Sequence, residues 1–164
     1  MSVVDEMMQR NARYAETYSG AGLPRPPKLK LAVLGCMDAR INYHELLGLA
    51  DGDAIVITNA GGMVTEEILR SLTIAERGPK VEHVMYIGHT DCGIASEDDT
   101  AFKDALEQEV GQRPSWTIAK LANAEDYVRE NCRKIREYPF IQRLGVRGFV
   151  FGVEDGRLHE VELG

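Results

Sequence analysis

The sequence predicts an α/β fold: a mainly parallel central sheet flanked by helices, with an N-terminal helical arm and a C-terminal antiparallel hairpin. Three observations lead there. Short apolar runs at residues 29–35, 54–58 and 81–88 read as buried strands. Helix signals follow each of them, which implies right-handed crossovers and parallel pairing. Finally, residues 146–153 and 157–163 flank Glu154-Asp155-Gly156, a hairpin turn.

Taken in order, Val4, Met7, Met8, Ala12, Tyr14, Ala15 and Tyr18 have the spacing of an amphipathic helix. Ser19-Gly20-Ala21-Gly22, then Pro24, Pro26 and Pro27, cannot continue it, so residues 1–22 form an arm on a stiff connector. From the residues alone, this arm packs equally well on its own domain or on a neighbouring subunit. The first strand delivers Gly35-Cys36-Met37-Asp38-Ala39-Arg40, where an extended backbone would turn Cys36, Asp38 and Arg40 to the same side. Asn42 is placed to cap a brief helix through Leu47, and Asp51-Gly52-Asp53 turns the chain into the second strand. That strand closes on Asn59-Ala60-Gly61-Gly62.

Thr65, followed by Glu66 and Glu67, marks the start of a helix running to Arg77, which Gly78-Pro79 stops. The third strand ends at His89-Thr90-Asp91-Cys92-Gly93. Residues 98–110 and 124–138 have helical spacing and are separated by Arg113-Pro114 and a segment containing Trp116. His159 and the glutamates of the last strand suit an edge. Without an internal repeat or a linker, residues 1–164 are expected to form one domain.

A chain of 164 residues with a formal net charge of -7 lacks the clustered positive charge that nucleic acids and anionic membranes attract. Neither is an expected partner. Three widely spaced cysteines do not build a disulfide framework, so a reducing compartment is expected. The beginning Met1-Ser2-Val3-Val4-Asp5-Glu6 has no leader pattern, and no apolar run approaches the ~18 residues of a membrane span. A soluble, cytoplasmic protein is expected.

Open sheets of this type bind ligands beyond the carboxyl ends of their strands, where Cys36, the loop 59–62 and His89 all fall. Two residues separate His89 from Cys92, so a tight turn can aim both at one ion. With Cys36 they make two thiolates and one imidazole, a donor set of catalytic zinc with an open fourth position. Asp38 can accept a hydrogen bond from zinc-bound water and direct the hydroxide at an electrophile while Arg40 pairs with it. In a second reading Asp38 itself fills the fourth position, closing the site until Arg40 draws it away. Asn59, Gly61 and Gly62 can present backbone N–H groups to a substrate anion, although a simple tight turn explains them as well. Cys132 reads as structural, and His44, His83 and His159 as solvated or core histidines. No Gly-x-Gly-x-x-Gly is present, which disfavours dinucleotides. The gap from Cys36 to Arg40 is too short for a cysteine phosphatase loop.

Cys36-Met37-Asp38-Ala39-Arg40, Asn59-Ala60-Gly61-Gly62 and His89-Thr90-Asp91-Cys92-Gly93, in that order and spacing, resemble the beta-class carbonic anhydrases. The likeness is close over residues 29–93. It continues more weakly through Pro139-Phe140-Ile141, Val146-Arg147-Gly148 and Gly156-Arg157-Leu158. The short length is similar to the compact microbial branch, which also includes carbonyl sulfide and carbon disulfide hydrolases. The resemblance implies one zinc per chain on Cys36, His89 and Cys92, with Asp38 and Arg40 as the catalytic dyad. It implies reversible hydration of carbon dioxide to bicarbonate by a zinc-bound hydroxide, with carbonyl sulfide or carbon disulfide hydrolysis as the alternative. It also implies a homodimer, or a dimer of dimers, with the arm reaching across to the partner and the active site near the interface. Two departures stand out: Thr58 where many relatives have arginine, and Pro26-Pro27-Lys28 where plant-type members place a glutamine.

Overall fold

The computed structural model describes residues 2–118 and 123–164, and of Ala95 and Ser96 only the backbone. Strands β1 (Leu31–Cys36), β2 (Ala54–Asn59), β3 (His83–His89), β4 (Gly145–Phe151) and β5 (Leu158–Val161) form one sheet in the order β2-β1-β3-β4-β5. The first four run parallel, and β5 returns antiparallel to β4 as an edge strand, as the hairpin signal implied. The register sets Leu31 beside His83 and His83 beside Gly145, so these three strands begin at one end of the sheet. Their tips gather at the other end.

Helices α1 (Val3–Glu16), α2 (Tyr43–Leu47), α3 (Glu66–Arg77), α4 (Asp99–Val110) and α5 (Ala124–Glu137) complete the order. Period-two alternation sends Ala32, Leu34, Val84, Tyr86 and Val146 to one face, where Leu72 of α3 and Val128, Cys132 and Ile135 of α5 cover them. Val33, Ile87 and Phe151 face the opposite way, against Tyr43 of α2. Each of these large apolar side chains contributes about 1.5–3 kcal/mol on burial, which fixes the register that aligns the strand tips.

Close packing of α5 depends on a missing side chain. A Cβ on Gly88 would stand 2.8 Å from Val128 Cγ2, so glycine lets the helix lie against the last residues of β3. Asn131, fully buried on α5, accepts the Val64 N–H through Oδ1 (2.9 Å) and thereby ties this helix to the chain leaving the 59–62 loop.

The arm behaves differently. A Ser2–Asp5 capping box starts α1, yet the helix buries none of its residues and leaves Val3, Val4, Met7, Met8 and Tyr14 exposed. It ends at Glu16, two residues before the predicted Tyr18, where Thr17 takes the C-cap. Among the described residues no helix is long and apolar enough to cross a membrane.

Candidate metal centre

Three strand tips build the site. Cys36 is the last residue of β1, His89 is the last of β3, and Cys92 follows after a two-residue turn. All three are buried, and their donor atoms lie within 4.8 Å of one another, close enough to converge on one ion. They are the one such group of at least three His, Cys, Asp or Glu side chains among the described residues.

Asp91 adopts a positive φ of 51° between the two ligand candidates, a conformation that asparagine and aspartate tolerate better than other side chains. It permits the tight turn that the His-x-x-Cys spacing requires. His89 Nδ1 lies 2.8 Å from the Thr90 carbonyl. A carbonyl only accepts, so Nδ1 carries the proton and Nε2 keeps the lone pair. Nε2 is buried with no hydrogen-bond partner. An orphaned imidazole lone pair beside two thiols fits a metal ion in chemistry and in burial.

Burial works against charge on both Cys36 and His89, but their neighbours outweigh it. The adjacent His89 imidazole and the backbone N–H groups of Asp38 and Gly61 hold the Cys36 thiol below its ordinary value. Cys36 and the Thr90 carbonyl raise His89 above its own. Even without metal, the site eases loss of the Cys36 thiol proton, which a metal ligand must give up.

The Cys36–Arg40 stretch departs from the extended path expected of it. The strand stops at Cys36, and the Ile41 N–H donates to the Asp38 carbonyl (3.0 Å), closing a turn. Within it Asp38 Oδ1 accepts the Arg40 N–H (2.9 Å), a local bond that aspartate offers in place of strand pairing. The turn brings Arg40 back onto Asp38: Nε donates to Oδ1 at 3.0 Å and Nη2 to Oδ2 at 2.8 Å. This bidentate pair, then the Arg40 backbone N–H, holds the Asp38 carboxyl well below the usual carboxylate range. Asp38 stands outside the Cys-His-Cys group, its carboxylate engaged by Arg40.

Arg40 has a second anchor that the sequence reading missed. Its Nη1 donates to Asp91 Oδ2 and its Nη2 to the Asp91 carbonyl, both at 2.8 Å. The guanidinium thus links the β1 tip to the turn after β3. An aspartate between His89 and Cys92 was the available signal. Tyr43 was also missed. Its hydroxyl donates to the Cys36 carbonyl (2.9 Å) and occupies the space a side chain on Gly35 would fill.

The 59–62 loop is split between tasks. Asn59 Nδ2 donates to the Met63 carbonyl (2.9 Å) and Asn59 Oδ1 is buried without a partner. Gly61 and Gly62 both have positive φ, 72° and 64°. They let the loop lie so close to β1 that a Cβ on Gly62 would stand 3.0 Å from the Gly35 carbonyl carbon. The N–H of Gly61 serves the Cys36 sulfur, and both glycines are buried. A cavity of about 270 Å³ opens over the site, lined by Cys36, Asp38, Ala60, Cys92, Ile94 and Glu97 among others. A larger one, about 640 Å³, lies at the far end of the strands between Leu31, His83, Gly145 and Arg147, away from the thiols. His83 is exposed there, and Cys132 lies in the α5 core. Thr58 lines a third cavity, about 360 Å³, on the Tyr43 side of the Cys36–Asp38 segment.

A mainly parallel α/β sheet with two thiols and an imidazole at its strand tips defines a metalloenzyme-like domain, and comparison with known proteins gives its family. The family model for carbonic anhydrase matches residues 31–158. The chain is 40% identical over 162 residues to beta-carbonic anhydrase 1 of Mycobacterium tuberculosis, covering 98% of this chain and 99% of that one. It is 26% identical over 160 residues to a carbon disulfide hydrolase of Acidianus, covering 82% and 78%. The crystal structure of a carbonic anhydrase from Streptococcus mutans superposes with a TM-score of 0.92 at 32% identity, covering 99% of each chain. The chain belongs to the beta-carbonic anhydrase family, whose members are lyases of the carbonate dehydratase type and which has hydrolase relatives.

Proposed function

We propose that this chain catalyses the reversible hydration of carbon dioxide to bicarbonate and a proton, with one zinc held by Cys36, His89 and Cys92. The observation that carries this reading is the buried, unpartnered His89 Nε2 set among two thiols. A zinc held there supplies a Lewis acid that makes water nucleophilic near neutral pH. The chain's own residues supply orientation. Asp38, kept ionised by Arg40, only accepts hydrogen bonds, so it takes the O–H of a reacting water and fixes the direction of its remaining lone pair. Arg40, held in turn by Asp91, keeps the carboxylate in place and restrains it from turning to the metal. Ala60 and Ile94 give the cavity wall an apolar surface suited to a neutral, linear substrate.

The residues carried over from the family motif act within one domain spanning residues 1–164, with Asn59, Gly61 and Gly62 shaping the loop behind the pocket that Ala60 lines. An arm that buries nothing on its own chain supports a homodimer or dimer of dimers in which α1 packs on the partner. Three free cysteines accord with the cytoplasm. A second reading, hydrolysis of carbonyl sulfide with water to hydrogen sulfide and carbon dioxide, or of carbon disulfide likewise, is supported by the carbon disulfide hydrolase relatives. Purified protein is expected to carry one zinc per chain and to accelerate acidification of a carbon dioxide solution. Zinc-loaded protein without that activity, but releasing sulfide from carbonyl sulfide or carbon disulfide, would replace the first reading with the second.

A further inference from the structure

Beside the metal cavity lies a smaller chamber of about 210 Å³, lined by Asn59, Ala60, Met63, Ile94, Trp116 and Ile118 among others. Two of these residues, Ala60 and Ile94, also line the cavity over Cys36, Asp38 and Cys92. The two spaces are therefore neighbours across a shared apolar wall. Ile94 is seated in that wall by the glycine loop, its Cγ2 standing 3.4 Å from the point where a Cβ on Gly61 would be.

The two spaces differ in chemistry. The metal cavity carries the carboxylates of Asp38 and Glu97, whereas no charged side chain lines the chamber and its wall is almost wholly apolar. Apolar cavities of roughly 150 Å³ stay dry and admit small apolar guests such as xenon. An ion entering such a space gives up its hydration for nothing, while a neutral, linear triatomic molecule gives up little. The chamber suits carbon dioxide or its sulfur counterparts and excludes bicarbonate.

The outer wall is held in place by α4. Asp99 Oδ1 accepts the Ile118 N–H (2.6 Å), and Asp99 Oδ2 pairs with Lys103 Nζ (2.9 Å), on a lysine only 8% exposed. One turn along, Phe102 packs its ring against Trp116, with 6.2 Å between centroids. These contacts fix residues 116–118 across the chamber from the 59–63 loop.

We propose that this chamber takes up the neutral substrate and passes it over Ala60 and Ile94 to the metal centre, which makes Trp116 and Ile118 specificity-determining residues. The inference rests on the functional reading above, and it holds for carbon dioxide and for the sulfur compounds alike.

Xenon is the probe. In crystals of the zinc-loaded protein held under xenon pressure, a xenon atom should occupy the chamber between Met63, Ile94, Trp116 and Ile118. A chamber without xenon would overturn the proposal. Ile118→Trp then fills the space while keeping the backbone N–H that Asp99 accepts. Zinc content and kcat should hold, and KM for carbon dioxide should rise about tenfold. An unchanged KM would make the chamber a dead end and overturn the proposal. If the variant fails to fold, the wild type still decides: xenon should inhibit competitively with carbon dioxide, and no inhibition at a pressure that fills the chamber overturns it. Zinc-loaded wild type that attacks neither carbon dioxide nor the sulfur compounds removes the functional reading and this proposal together. An active wild type whose chamber takes no xenon removes the proposal alone.

Discussion

Cys36 and Cys132 are both buried, 5% and 0% exposed, yet the fold gives their thiols opposite chemistry. Burial pushes both up. For Cys132, in the apolar layer between α5 and the sheet, only the charge of Arg136 opposes it, and the thiol is pushed up to about 12. Cys36 has the His89 imidazole and two backbone N–H groups within reach and ends below its ordinary value. Depth does not separate a ligand from a core residue. What separates them is that a strand tip gathers donors from other segments, whereas the middle of a helix facing a sheet meets only hydrocarbon.

The sharpest test removes the ligand. Cys36→Ala should lose zinc and bring carbon dioxide hydration down to the uncatalysed background while the far-ultraviolet circular dichroism stays native, since the core lies below the strand tips. Zinc retained at one per chain in this variant would break the comparison. The next effect separates holding the metal from using it. Asp38→Asn should keep its zinc and lose roughly 10²- to 10⁴-fold in turnover, the range of a positioned proton-handling group. Metal analysis beside initial rates distinguishes the two losses.

A smaller effect is expected of Arg40→Lys. The guanidinium makes two bonds to the Asp38 carboxylate and two to Asp91, a pattern that a single ammonium cannot reproduce. Turnover should fall by about 10- to 100-fold with zinc retained. Undiminished turnover would show that charge near Asp38 suffices and that the bridge to Asp91 is dispensable.

Much of this was legible in the chain. Apolar runs marked the first three strands to within a few residues and the Glu154-Asp155-Gly156 turn marked the last two, the buried β1 and β3 leaving the plainest trace. Cys36, His89 and Cys92 could be grouped because each closes or follows a strand, and parallel strands put their tips together. Geometry set by local competition was not legible. Whether Cys36 to Arg40 continues extended or turns depends on Asp38 bonding its own downstream backbone, and alternation alone argued for the wrong outcome. Asn131 was hidden for another reason. It ties α5 to Val64, 67 residues away, through a helix whose placement depends on glycines in β3 and β4, and no spacing in the sequence encodes that contact.

Cys132 completes the comparison with the smallest expected effect. Its sulfur packs at the bottom of the α5–sheet core, close enough that a Cβ on Gly148 would come within 3.0 Å of it. Cys132→Ala removes one well-packed atom and should cost about 1–2 kcal/mol of unfolding free energy, with zinc content and turnover unchanged. The same placement predicts its reactivity. In metal-free protein at pH ~8, an alkylating reagent should modify Cys36 and Cys92 while Cys132 stays protonated and shielded. Zinc should then protect the first two. Modification of Cys132 at a comparable rate in folded protein would mean that the α5 core opens readily, and that the separation between a chemical strand tip and an inert core is weaker than burial implies.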